Sequence, residues 1–80
     1  MSNITLYTKP DCVQCEQTKR LFEREGIKPE TVIDVTEDDA ALAHIKDLGY
    51  LQAPVVVLKD DEGAVTQHWS GFRPDIIMQM

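Results

Sequence analysis

Apolar and polar residues first alternate at Ile4-Thr5-Leu6-Tyr7, a period of two that predicts a strand over about residues 3–8. Lys9-Pro10 ends it. The period then lengthens to that of a helix: Cys15, Thr18 and Phe22 recur on one face, joined by Leu21, while Lys19, Arg20, Glu23 and Arg24 cover the other. Asp11 is expected to cap this helix, with Gln14 as its reciprocal partner in a capping box, and Gly26 to stop it. The short β-branched run Thr31–Val35 predicts a second strand. Thr36 with Asp39 resembles another capping box, and Glu37, Asp38 and Asp39 suit the positive end of a helix. Ala41, Leu42, Ile45 and Leu48 give that helix its apolar face, and Gly49 closes it. Val55–Leu58 is apolar throughout, as a fully buried strand should be. The stretch "KDDEGA" turns the chain into a hairpin partner over Val65–Trp69, and Pro74 opens a short last helix, Asp75–Met78.

The order β-α-β-α-β-β-α specifies an α/β fold. The first two strands should be parallel, because a helical crossover joins them, and the last two antiparallel. Residues 1–80 fit one domain. A chain of this size buries only about 60–65% of the surface its unfolded form exposes, a modest core that still needs no staple. Hydrophobic content of 42% and charged content of 28% suit a globular chain rather than a disordered one. The net charge of −6, from 14 acidic and 8 basic residues, argues against nucleic acid, whose phosphates call for Lys and Arg. No apolar run reaches the roughly 18 residues of a membrane span. The opening "MSNITLYTK" has no secretory pattern, so a reducing cytoplasm is the expected location.

The two cysteines, Cys12 and Cys15, carry the candidate chemistry. The capping reading puts Cys12 at about the first helical position and Cys15 one turn deeper, with Cα atoms roughly 5–6 Å apart, inside disulfide range. Unpaired N–H groups at the helix start favour a thiolate on Cys12, by about one pKa unit; Lys9 adds to this and Asp11 opposes it. Cys15, on the Thr18–Phe22 face, should be the more buried. An exposed, activated thiol beside a shielded one suits thiol–disulfide exchange, in which the first attacks and the second resolves. Two other readings compete. A metal site needs two further ligands, and His44 (mid-helix) and His68 (in a strand) offer no matching spacing. A purely structural disulfide closing so short a loop would constrain little chain entropy. A C-x-x-C that follows a strand and opens a helix in a βαβ context favours the redox pair.

Three stretches, "TKPDCVQC" (Thr8–Cys15), "GYLQAPVVV" (Gly49–Val57) and "HWSGFRPD" (His68–Asp75), make the chain resemble the thioredoxin superfamily and, within it, the glutaredoxin-like NrdH-redoxins. The resemblance covers essentially the whole chain, and the last stretch is the most specific. It implies a thioredoxin/glutaredoxin-like fold, a four-stranded mixed sheet flanked by three helices, with Cys12 attacking and Cys15 resolving. Pro54 matches a cis-proline facing the cysteines, which leaves the backbone of Ala53 free to pair with a substrate strand. The resemblance also implies a dithiol electron donor to the large subunit of class Ib ribonucleotide reductase, recharged by thioredoxin reductase, acting as a monomer without a cofactor. Val13-Gln14 stand where dithiol glutaredoxins usually carry Pro-Tyr, and Ser70-Gly71 replace a Gly-Gly that helps hold glutathione. Phe72, Arg73 and Asp75 would pack and bond over that cleft. A glutathione-dependent glutaredoxin is the alternative, and an iron–sulfur carrier a further one. The residues themselves leave Trp69 open between core and exposed anchor. His44 and His68 are expected at the surface.

Overall fold

The computed structural model describes residues 3–80; Met1 and Ser2 of the expected domain lie outside the described residues. Seven elements follow in the expected order: β1 (Asn3–Thr8), α1 (Val13–Arg24), β2 (Thr31–Asp34), α2 (Asp39–Asp47), β3 (Val55–Lys59), β4 (Val65–Ser70) and α3 (Pro74–Ile77). One sheet of order β2-β1-β3-β4 joins the strands. β1 runs parallel to β2, as the helical crossover requires, and antiparallel to β3; β3 and β4 form the antiparallel hairpin. This is the thioredoxin/glutaredoxin-like arrangement.

Register decides which side chains meet. Leu6 stands opposite Val32 on one side and Val56 on the other, and Val56 stands opposite Trp69. Because side chains alternate faces along a strand, Leu6, Val56 and Trp69 share one face with Ile4 and Leu58. Phe22 of α1 and Ile77 of α3 close over them. On the opposite face Tyr7, Val55 and Val57 meet Ala41 and Ile45 of α2, together with Val35. The whole of Val55–Leu58 is therefore buried, as its composition demands. Phe22, essentially inaccessible, is the plug of the first cluster; cutting it to Ala should cost about 3–5 kcal/mol.

Both expected capping boxes are replaced. The N-cap of α1 is Cys12, whose sulfur accepts the N–H of Cys15 at 3.1 Å. Asp11 instead sits at φ 54°, turning the chain one residue before the helix. At α2 the cap is Asp38, which accepts the Ala41 N–H at 3.0 Å. Thr36 is drawn back to Asp34, giving its N–H and hydroxyl to that carboxylate at 2.8 and 2.6 Å. β2 stops at Asp34, one residue short of expectation, although the Val35 N–H still reaches the Thr8 carbonyl at 2.9 Å. α3 begins at Pro74 and ends at Ile77, with Met78 as its cap.

Candidate active site

The β1–α1 corner places the two cysteines. Their Cα atoms are 5.2 Å apart, and the sulfurs form a disulfide. Cys15 lies on the same helical face as Thr18 and Phe22 and is 0% exposed. Cys12, expected to stand open, is itself only 8% exposed. The reason is its capping role: the sulfur turns inward to the Cys15 N–H and lies 3.8 Å from the Ala53 carbonyl oxygen. Cys12 nevertheless lines a cleft of about 250 Å³ with Lys9, Asp11, Gln14, Gln52 and Ala53, and Cys15 does not. The N–H on its sulfur, at the start of a helix, stabilises negative charge there once the disulfide opens.

The Ala53-Pro54 peptide bond is cis, as the resemblance implied. Around it the turn from β4 to α3 is fixed by three consecutive residues. Ser70 donates its hydroxyl to the Gln52 carbonyl at 3.4 Å, and Gly71 its N–H to the Pro54 carbonyl at 2.8 Å. Phe72 donates its N–H to the side-chain oxygen of Gln14 at 3.1 Å. Gly71 has φ 83°, and a Cβ there would come within 3.3 Å of that same Gln14 oxygen. Next along the chain, Arg73 donates to both carboxylate oxygens of Asp75, at 3.2 and 3.0 Å. This hydrogen bond holds the Asp75 carboxyl below the usual carboxylate range and raises the Arg73 guanidinium above its ordinary value. Both groups are exposed, so the pair shapes the turn more than it stabilises the fold.

Trp69 belongs to the core: it is 4% exposed within the first cluster, which settles its placement. Its indole N–H and the Thr8 hydroxyl are buried without a hydrogen-bond partner among the described residues. His44 is half-buried and packs its ring 5.9 Å from that of Tyr7, so it is less solvated than expected. Burial, and secondarily Asp38, raises the Tyr7 phenol above its ordinary value. His68 is exposed as expected, but its Nδ1 lies 2.6 Å from the Tyr50 hydroxyl. Val13 and Leu51, at 73% and 83% exposed, leave apolar surface beside Cys12 and in the loop leading to Ala53. Among the described residues no group of three or more His, Cys, Asp or Glu side chains could hold a metal ion. No helix among them is long and apolar enough to cross a membrane.

The Gln14–Phe72 and Tyr50–His68 contacts escaped the sequence reading. They join residues 58 and 18 positions apart, and no local pattern marks either.

The sequence pattern of the glutaredoxin family matches residues 4–62. The chain is 42% identical over 77 residues to the glutaredoxin-like protein NrdH of Escherichia coli (strain K12), spanning 96% of this chain and 86% of that one. It is 40% identical over 79 residues to NrdH of Salmonella typhimurium (strain LT2), spanning 98% and 88%. In three dimensions it is similar to the solved NrdH-redoxin of Escherichia coli, with a TM-score of 0.83 and 40% identity over 98% of this chain and 93% of that one. That structure was described as the basis for a thioredoxin-like activity profile.

Proposed function

This chain belongs to the glutaredoxin family, and within it to the NrdH-redoxins; from that premise we propose that it carries electrons to the large subunit of class Ib ribonucleotide reductase and is recharged by thioredoxin reductase. The coarser activity is that of a glutaredoxin-like thiol–disulfide oxidoreductase. The observation that carries the mechanism is the asymmetry of the pair: Cys12 lines the cleft, while Cys15 is sealed one helical turn behind it.

In the reduced protein the Cys12 thiolate attacks one sulfur of a substrate disulfide. A mixed disulfide forms, and the departing substrate thiolate takes up a proton. Cys15, deprotonated, then attacks the Cys12 sulfur, closing the intramolecular disulfide and releasing the second substrate thiol. Two electrons and two protons pass from the protein to the substrate, and the reductase returns them. In this reading the Ala53 carbonyl, 3.8 Å from the Cys12 sulfur, accepts a hydrogen bond from the backbone of an extended substrate segment, and exposed Val13 and Leu51 offer that segment apolar contact. The proposed working unit is residues 1–80, acting as a cytoplasmic monomer.

The choice of donor rests on the turn after β4. Arg73, the strongest donor there, is engaged with Asp75, and Ser70 and Gly71 are tied to Gln52 and Pro54. Groups tied in this way are not free to hold a small polar thiol such as glutathione, and each hydrogen bond left unmade costs about 1–3 kcal/mol. The test follows NADPH consumption with a disulfide substrate, using either thioredoxin reductase or glutathione with glutathione reductase as donor. Turnover is expected with the first and little above background with the second. Efficient turnover by glutathione alone would move the chain to the glutathione-dependent glutaredoxins.

A further inference from the structure

The two helices on one face of the sheet leave its outer strand uncovered. Phe22 of α1 and Ile77 of α3 close over Leu6, Val56 and Trp69, which lie on β1, β3 and β4. β2 is the edge strand beyond β1, and its Val32, opposite Leu6, remains 51% exposed. Between β2 and α1 lies a cavity of about 300 Å³. Leu6 and Phe22, both essentially inaccessible to water, form its back wall, and Ile27 and Val32 line it nearer the solvent.

The lining is almost wholly carbon, although Lys19, Glu23 and Lys28 take part in it. Their aliphatic stems therefore supply the wall, and their charged heads stand at the mouth. Lys19, Phe22 and Glu23 fall at helical spacing on one side of α1, and Lys28 comes from the loop before β2. Two ammonium groups against one carboxylate give the mouth a positive excess, in a chain whose net charge is −6. Lys28 forms no ion pair among the described residues. Lys19 is held by Glu16 at 3.5 Å, in an exposed pair of little strength.

This volume lies at the small end of ligand sites. It equals about ten water volumes, room for an unbranched chain of roughly ten carbons. We propose that the cavity is a binding site for a medium-chain carboxylate, its alkyl chain between α1 and β2 and its head at Lys28 and Lys19. Carbon walls offer a polar ligand no partner, and the positive mouth selects an anion over a cation. The site stands apart from the redox chemistry. None of its lining residues lines the cleft at Cys12, and Phe22 lies two helical turns from Cys15, about 10 Å along the axis. The proposal is independent of the electron-carrier reading, and each stands or falls without the other.

The experiment titrates the oxidised protein with decanoate, below its micellar concentration, and follows the backbone amide NMR shifts. Saturable shifts should centre on Gly26, Ile27 and Val32 and spare Cys12. Octanoate, two methylenes shorter, should bind about 10-fold more weakly. Lys28→Gln should weaken decanoate about 2- to 5-fold, and Glu23→Gln should tighten it by a similar factor. Val32→Trp, which fills the mouth, should weaken it by about 10-fold or more. Decyltrimethylammonium, the same chain with a cationic head, should bind less tightly than decanoate. Lys28 and Glu23 are exposed, so their variants keep the test open if Val32→Trp does not fold. Shifts that fail to saturate, or that centre on Cys12, overturn the proposal. Equal binding of the cation overturns it too, as do unchanged affinities in Lys28→Gln and Glu23→Gln. A folded Val32→Trp that binds decanoate as tightly as wild type would put the ligand elsewhere and overturn it as well.

Discussion

Replacing Gly71 by alanine tests whether the turn after β4 and the redox motif are mechanically joined. Gly63 provides the control, because it has the same φ of 83° while a Cβ there would meet nothing within 4 Å. Holding an L-residue in the left-handed region costs roughly 1–2 kcal/mol at either site. At Gly71 the new methyl also faces the Gln14 oxygen at 3.3 Å, tighter than ordinary contact. Gln14 must withdraw by a few tenths of an ångström, stretching a bond to Phe72 that is already 3.1 Å long. Losing it adds about 0.5–1.5 kcal/mol. Gly71→Ala should therefore be the more destabilising by about that amount. Urea unfolding of the oxidised proteins measures it: with a slope near 1 kcal/mol/M for so small a chain, the midpoints should differ by about 0.5–1.5 M. Made in a Gln14→Ala background, the two glycine substitutions should cost the same. Equal midpoints in the wild-type background, or a difference that survives the removal of Gln14, would refute the coupling.

Cys15→Ser should trap a mixed disulfide between Cys12 and a protein substrate, visible on non-reducing gels, whereas Cys12→Ser should lose all turnover; trapping by Cys12→Ser would reverse the roles. Burial raises the Tyr7 phenol, so the folded state favours the neutral ring. Its contribution to stability is complete below the unfolded value near pH 10 and is lost as pH rises through the higher folded value. Tyr7→Phe should thus flatten the alkaline fall in stability, followed by circular dichroism alongside tyrosinate absorbance; superimposable alkaline curves for the two proteins would contradict this.

Patterns with a short period were legible in the sequence. The alternation of Ile4 to Tyr7, the helical spacing of Cys15, Thr18 and Phe22 and the unbroken Val55–Leu58 run gave elements that the structure holds within a residue or two. The caps were misplaced because several neighbouring side chains can perform the same task. Asp11 and Cys12 both offer an acceptor, and only the left-handed backbone at Asp11 passes the role to Cys12. Thr36 loses its role to Asp38 once Asp34 captures its hydroxyl. Trp69 was undecided because β4 has four exposed residues before it and no alternation to assign a face; its register against Val56 does so. Gln14 read as a capping partner because local reach is all a motif encodes, whereas Phe72 arrives from the far end of the chain.

The sheet order places β1 between β2 and β3, so the earliest of these four strands to be synthesised is an interior one. Its parallel neighbour follows some two dozen residues later, and its antiparallel neighbour, which pairs Asn3 with Lys59, must wait until β3 has been synthesised. Until then Ile4 and Leu6 lack the β3 residues that cover them, and β1 keeps an open hydrogen-bonding edge. A nascent chain that has reached α2 is therefore adhesive and unfinished, and closure of the sheet comes late as a single long-range event. Slowing translation before β3 would prolong that adhesive interval, whereas speed through the same stretch would shorten it.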